Sequence, residues 1–230
     1  VSYPTTGSTG DGYLFAKDLG HTIVDTFPSL TALRPKVADS RLEGLLLKNV
    51  KMDLWVNGAV VQSEFGETLF TSGGIEGALG FRVSRKGVRG LVNGQKVEVS
   101  IDLKPAVDVE DIKGRIGEIV KEAGGFKVKL MPLQMVESFI EMNPDLREGN
   151  LAARIKDWRF RIVGYVGYKR CVIPAGGVSL DEISRKTMES KLVNGLYFAG
   201  EIMDLDGDTG GYNLQIAFST GALAADSAIK

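Results

Sequence analysis

Near its C-terminus the chain reads Gly195-Leu196-Tyr197-Phe198-Ala199-Gly200-Glu201, then Asp204, then Gly210-Gly211-Tyr212-Asn213-Leu214-Gln215. Leu196 to Ala199 is a short apolar run bounded by glycines, the pattern of a buried strand. It ends on an acid, a loop rich in Asp and Gly follows, and Gly210-Gly211 opens a helix. Along that helix Leu214, Ala217, Phe218, Gly221, Ala222 and Ala225 recur at spacings of three and four. A strand, an acidic loop and a helix N-terminus suit a cofactor. Gly211 lets a ligand approach the backbone closely, and the unpaired N–H groups of the first turn offer it positive partial charge. Taken alone, the same string is a strand, a loop and a packing helix.

Composition narrows the field. With 230 residues there is enough chain for one large domain or two small ones, and an apolar content of 43% supplies a core. The net charge of −1, without long blocks of like charge, points away from nucleic acid as a partner. No apolar run is long enough to span a membrane. A lone cysteine, Cys171, excludes an internal disulfide and fits a reducing, cytoplasmic setting. A lone histidine, His21, excludes multi-histidine metal sites, so no metal is expected.

At the N-terminus, VSYPTTGSTGDG begins as a loop, and Ser8-Thr9-Gly10-Asp11 has the spacing of a capping box. A helix is predicted from about Gly10 to Leu19, with Tyr13, Leu14, Ala16 and Leu19 as its apolar positions and Gly20 as its stop. A strand follows over His21 to Phe27. From Leu45 the pattern turns β-like, with runs at Leu45 to Val50 and Met52 to Val56. Asn57-Gly58 marks a hairpin, Ala59 to Phe65 is its partner, and Thr68 to Thr71 follows Gly66-Glu67. Lys96 to Asp102 alternates cleanly. Strands at this spacing predict a small antiparallel sheet or barrel. The glycine-rich stretch from Gly73 to Gly80 lacks G-x-G-x-x-G spacing and reads as a loop with at most a short helix. Asp108 to Ala123 reads as a helix capped by Asp108, with Val109, Ile112, Ile116, Ile119 and Val120 as its core stripe and Gly124-Gly125 as its end. Pro132 opens a second helix to about Met142, and Leu151 to Trp158 a third. Trp158 to Val163 and Tyr168 to Ile173 return to strands. The basic residues Arg154, Arg159, Arg161, Lys169 and Arg170 read as a solvated face, Cys171 as a small buried hydrophobe, and His21 as structural.

The strings at the two ends carry a resemblance. Thr187-Met188-Glu189-Ser190-Lys191 and the Gly195 to Gln215 string, with Tyr3, Pro4, Thr6, Gly7, Ser8, Thr9, Gly10, Asp11 and Gly12 and the re-entry segment Pro174 to Ile183, resemble the BaiN-like, aminoacetone-oxidase-like family of NAD(P)/FAD-dependent oxidoreductases. These belong to the flavoproteins with two dinucleotide-binding domains. The resemblance implies that Tyr3, Pro4, Thr6, Gly7 and Ser8 lie beside a flavin. It implies that Glu201 accepts hydrogen bonds from the ribityl hydroxyls, as a carboxylate with spare acceptor sites can, and that Asp204 acts similarly or holds the loop. Gly200, Gly210 and Gly211 complete the turn, and the backbone N–H groups of Tyr212, Asn213 and Leu214 face the pyrimidine edge of the flavin. It assigns no catalytic acid or base. It also implies that the stretch from Gly73 to Gly80 faces a substrate cleft, and that the helical part of the middle is shorter than is usual in the family.

The first strand with G-x-G-x-x-G that would cradle the pyrophosphate does not occur in the sequence given. The expectation is therefore the C-terminal portion of a larger FAD-dependent oxidoreductase. Its partners are a small-molecule substrate and the N-terminal FAD-domain segment of the same polypeptide, with either NAD(P)H as electron donor or dioxygen as the second redox partner. The fold class is α/β with α+β character: a partial FAD-binding, Rossmann-like domain (residues 1–30 and 174–230) around an inserted β-rich, barrel-like substrate domain (31–173) that is helical at about 108–158. The alternative is a non-enzymatic ligand- or protein-binding module with vestigial flavin segments.

Overall fold

The computed structural model describes residues 1–123 and 130–230. In chain order its elements are α1 (Asp11–Asp18), β1 (Ile23–Ser29), β2 (Leu33–Pro35), β3 (Leu46–Val56), β4 (Ala59–Thr71), β5 (Gly74–Glu76), α2 (Gly77–Val92), β6 (Val97–Asp102), α3 (Val109–Ala123), α4 (Leu133–Glu141), α5 (Glu148–Lys156), β7 (Trp158–Tyr165), β8 (Ile173–Val178) and α6 (Tyr212–Ala228). They form two compact units, residues 1–31 with 166–230, and residues 32–165. Residues 166–173, placed by the sequence reading in the inserted domain, belong to the first unit. There the Tyr3 N–H donates to the Tyr168 carbonyl (3.0 Å) and the Val172 N–H to the Leu30 carbonyl (3.1 Å).

The second unit is built on alternation. Along β3, Val50, Met52 and Leu54 are buried; along β6, Val97, Val99 and Ile101; along β7, Trp158, Phe160 and Ile162. Each set has the two-residue period of a strand with one face in a core. Six antiparallel strands close the barrel in the order β2-β5-β4-β3-β6-β7. The expected barrel is therefore present, and Asn57-Gly58 forms the β3–β4 turn with positive φ at both residues (50° and 84°). The runs 45–50 and 52–56 are one strand, bent where the register shifts between Leu47 and Val50 and Asn49 takes φ 55°.

The glycine-rich stretch 73–80 is not a loop. It forms β5 and the first turn of the 16-residue helix α2, which packs against all six strands. Glycines weigh against a helix by propensity, but here they admit the close packing that holds it. A Cβ on Gly80 would lie 2.9 Å from the Ile75 carbonyl oxygen. The helical part, α3 to α5, follows the sequence pattern more closely. Asp108 Oδ1 accepts the Asp111 N–H (2.8 Å) as a cap, and Ile112 and Ile116 are buried. The side chains of Ile119 and Val120, and the stop at Gly124-Gly125, lie outside the described residues. α5 begins three residues earlier than predicted and ends before Trp158, which opens β7. On β7, Arg159 lies over the Trp55 ring, 4.1 Å from its centroid, and pairs with Asp157; on α5, Arg154 pairs with Asp145.

In the first unit β1 and β8 form an antiparallel pair, and every residue of β8 is buried. Parallel pairing is present as the bridge between Val178 and Met203. A core of Ala16, Val178, Ile183, Phe198 and Met203 lies beneath. Several expectations fail here. The Ser8–Asp11 box does not form: α1 starts from Gly10 in the left-handed region, with no side-chain cap. Residues 168–172 are a turn leading to β8, not a strand. Residues 196–199 are not a regular strand; Tyr197 bridges Glu189, and the Phe198 N–H donates to Met188. Apolar content predicted burial correctly for Phe198, but among the described residues no second strand runs alongside this segment. The apolar stripe of α6 is largely uncovered, with Leu214 and Phe218 65% and 70% exposed.

His21 and Cys171 are structural, as read. His21 Nδ1 lies 3.1 Å from a Glu182 carboxylate oxygen and Nε2 lies 2.9 Å from Ser190 Oγ, so both ring nitrogens are held in hydrogen bonds. Ser190 Oγ also accepts the N–H groups of Leu192 and Val193 and is buried, which removes it as a nucleophile. Burial raises the Cys171 thiol to about 11, away from thiolate reactivity.

Trp158 anchors the second unit, with ring centroids of Phe160, Phe70 and Phe139 at 4.6, 5.6 and 5.9 Å. Trp158→Ala is expected to lower the unfolding free energy by about 3–5 kcal/mol, read as a fall in the urea midpoint of the barrel transition. A loss under about 1 kcal/mol would show that the cluster does not carry the core.

Candidate functional site

The elements of the first unit converge on a cleft of about 290 Å³ lined by Ser8, Thr9, Gly10, Asp11, Gly12, Tyr13, Pro174, Glu201 and Ile202, with Val1 at its edge. Two predicted site residues, Ser8 and Glu201, thus meet although 193 positions separate them in sequence. The β1–β8 pairing makes this possible. It sets Pro174 at the start of β8 near the loop that precedes α1, and the Asp204 N–H, bonded to the Val178 carbonyl (2.9 Å), anchors the segment after Glu201 to the end of β8.

Most of the remaining predicted residues fall in two further groups of the first unit. Tyr3, Pro4, Thr6 and Gly7 form a short 3-10 turn, with Tyr3 and Gly7 at φ 48° and 94° and Thr6 Oγ1–H donating to the Tyr3 carbonyl (2.7 Å). They do not line the cleft. Gly210, Gly211, Tyr212, Asn213 and Leu214 form the start of α6. Gly211 is its N-cap at φ 91°, no side chain caps the helix, and a Cβ at Gly211 would meet nothing within 4 Å. Among the described residues no side chain caps the N–H groups of this first turn, the arrangement in which a helix end can receive an electron-rich ligand. Asn213 has a further job: its side chain accepts the Gly207 N–H (2.8 Å) and donates to the Gly207 carbonyl (3.0 Å), holding the acidic loop. The Gly200 N–H is taken by Thr220 Oγ1 (2.9 Å), which docks α6 on the turn beside Glu201.

Sequence reading missed Tyr13. It serves as an apolar position of α1, yet its hydroxyl donates to the Glu201 carbonyl (3.3 Å) at the cleft. Burial, then Tyr168 and Glu201, push its phenol up to about 12. A tyrosine one turn from a glycine-rich loop was the available signal, but periodicity alone assigned it to the core. The Glu201 carboxyl is likewise raised, by partial loss of water. No group of three or more metal-ligating side chains occurs among the described residues.

The family model for the HI0933-like protein Rossmann domain matches residues 1–227. The chain belongs to that family. Among curated proteins it is 29% identical to a 3-dehydro-bile acid delta(4,6)-reductase of Clostridium scindens, over 97% of the chain and 59% of the relative. It is 31% identical to a ribosomal RNA dihydrouridine synthase of Haemophilus influenzae (96% and 56%) and 30% identical to that of Escherichia coli (100% and 58%). The family relation read from the strings at both ends of the chain is borne out. The chain spans less than three fifths of the length of each of these relatives.

The raised Glu201 carboxyl sets a pH signature. Its folded value lies above its unfolded one, so it contributes stability below the unfolded value that is lost as pH rises through the folded one. Glu201→Gln is therefore expected to gain in Tm relative to the parent on going from pH 3.5 to pH 7 (about those values). An equal Tm difference at both pH values in thermal melts of cofactor-free protein would remove the charge cost assigned to this carboxylate.

Proposed function

We propose that this chain is the C-terminal part of an FAD-dependent reductase that adds hydrogen across a carbon–carbon double bond conjugated to a carbonyl. One observation carries the cofactor: the fold brings Glu201 and the Ser8–Gly12 loop to one cleft, in the unit whose helix α6 begins uncapped on Gly211. Glu201 offers acceptor sites to the ribityl hydroxyls, and the start of α6 offers N–H groups to the pyrimidine edge. The residues fit that half of the cofactor. The pyrophosphate cradle would come from the N-terminal FAD-domain segment, for which the greater length of the relatives leaves room. Packing of that segment would cover apolar side chains now exposed, Leu14 and Phe15 on α1 and Leu214 and Phe218 on α6.

The relatives' names support the reaction class. Delta(4,6) denotes ring double bonds and 3-dehydro a ketone beside them; dihydrouridine is uridine with two hydrogens added across a ring double bond next to a carbonyl. Bound flavin would supply hydride to one carbon while a proton goes to the other. What this chain does is hold and tune: a helix N-terminus at the pyrimidine edge favours the negative charge of the reduced cofactor. NAD(P)H is the proposed electron donor. The one cysteine, reduced and buried, supports a cytoplasmic setting. The relatives' substrates share only the reacting group, so the reading commits to that group.

The test is spectroscopic. The purified intact protein is expected to show flavin absorption, to bleach anaerobically with NADH or NADPH, and to recover colour with 2-cyclohexen-1-one but not with cyclohexene. Glu201→Ala is expected to weaken FAD binding about tenfold, the worth of a hydrogen bond to a charged group. A colourless intact protein that takes up no added FAD would favour the binding-module alternative.

A further inference from the structure

A second cavity, of about 440 Å³, lies wholly in the barrel unit, between the end of β2, the 3-10 turn Ser40–Leu42 and the β4–β5 turn. That volume suits a small organic molecule. Its floor is apolar, formed by the buried side chains of Leu42, Phe70 and Phe160, and Val37 extends it to the rim. The polar groups left over are one donor-only side chain, Arg34, and two hydroxyls that can donate or accept. Arg34 has no ion-pair or hydrogen-bond partner for its guanidinium among the described residues, and the Ser40 and Ser72 hydroxyls likewise have none.

The acids of the lining sharpen the requirement. Asp39 is spent: Oδ1 accepts Arg41 Nε–H (2.9 Å), and Oδ2 accepts the Arg41 NH2 group (2.7 Å) and the Ser138 hydroxyl. These hydrogen bonds, Arg41 first, hold its carboxyl far below the usual carboxylate range. It therefore accepts nothing more from a ligand; Arg41 also pairs with Glu141 and Glu137 and so offsets only part of the negative charge there, which leaves Arg34 as the cation of the lining. Glu43, exposed on the rim, repels a second negative charge. A planar guanidinium with five donors in a fixed fork matches the two oxygens of an oxyanion. An apolar floor excludes a polar body, because burying unpaired polar groups is costly.

We infer that this cavity is a binding site for a small amphipathic ligand with an apolar ring body and a single oxyanion, a carboxylate or a phosphate, held by Arg34. The inference rests on the barrel unit alone and is independent of the cofactor reading.

The test uses three probes with one body, 2-naphthoate, 2-naphthyl phosphate and neutral 2-naphthamide, titrated into the intact protein by calorimetry. At least one anion is expected to bind about tenfold tighter than the amide, and the tighter of the two identifies the oxyanion. Arg34→Gln, at an exposed position, is expected to reduce that anion to the affinity of the amide while leaving the amide unchanged. Ser72→Trp, on the exposed rim, is expected to weaken all three and serves if the first variant is unstable. Equal binding of anion and amide, an affinity for the anion unchanged by Arg34→Gln, or no probe binding tighter than about 1 mM would overturn the site.

Discussion

What gathers the cleft of the first unit is close backbone contact on both sides of β8. β1 and β8 meet at Gly176 and Gly177, where no side chain has room. A Cβ on Gly176 would lie 2.4 Å from the Asp25 carbonyl oxygen, and one on Gly177 would lie 2.5 Å from that of Ile202. Both glycines sit at positive φ, 84° and 135°. The absence of side chains lets β8 press against β1 on one side and the 202–203 segment on the other. Through those two contacts the loop before α1 and the turn carrying Glu201 come to the same cleft. What the contact achieves is positional: it gathers ordinary polar groups of distant segments at one place.

The second unit follows a different constraint. A six-stranded barrel has a small interior, and here a helix with glycine and serine on its inner face packs against every strand. Large side chains at Leu79, Val83 and Val88 fill what remains. This is the element that pattern reading handles least well. Gly77, Gly80, Gly87 and Gly90 each count against a helix when scored alone, yet each marks a place where helix and sheet come close. The strands were far easier to read, because alternation at Val97, Val99 and Ile101 is a local signal that needs no knowledge of the partner.

The same division holds at the candidate site. Glu201 and Ser8 were named through the family resemblance of the strings that contain them, and the fold places both at one cleft. The strand at 196–199 was wrong in kind although Phe198 is buried, since an apolar run reports burial and cannot report which backbone lies alongside. Tyr13 was missed because its hydroxyl acts on a carbonyl 188 positions away, a relation that no window contains. The stripe on α6 was read as packed because apolar periodicity states what a face needs, whereas Leu214 and Phe218 show that its cover is not supplied by the residues described here.

The barrel is tethered in a telling way. Its chain leaves the first unit at Thr31 and returns at Val166, where Thr31 Oγ1–H donates to the Val166 carbonyl at 2.7 Å. Departure and return are thus a single hydrogen bond apart, and the 134 residues between them close a loop whose ends are fixed by the unit that carries Glu201. Because the entropy of closing such a loop grows only with the logarithm of its length, whole hairpins or helices can be gained or lost inside it at little cost to the rest. Such an insertion is a natural unit of evolutionary exchange: its lining can be rewritten for a new ligand while the residues at Ser8 and Glu201 keep their places.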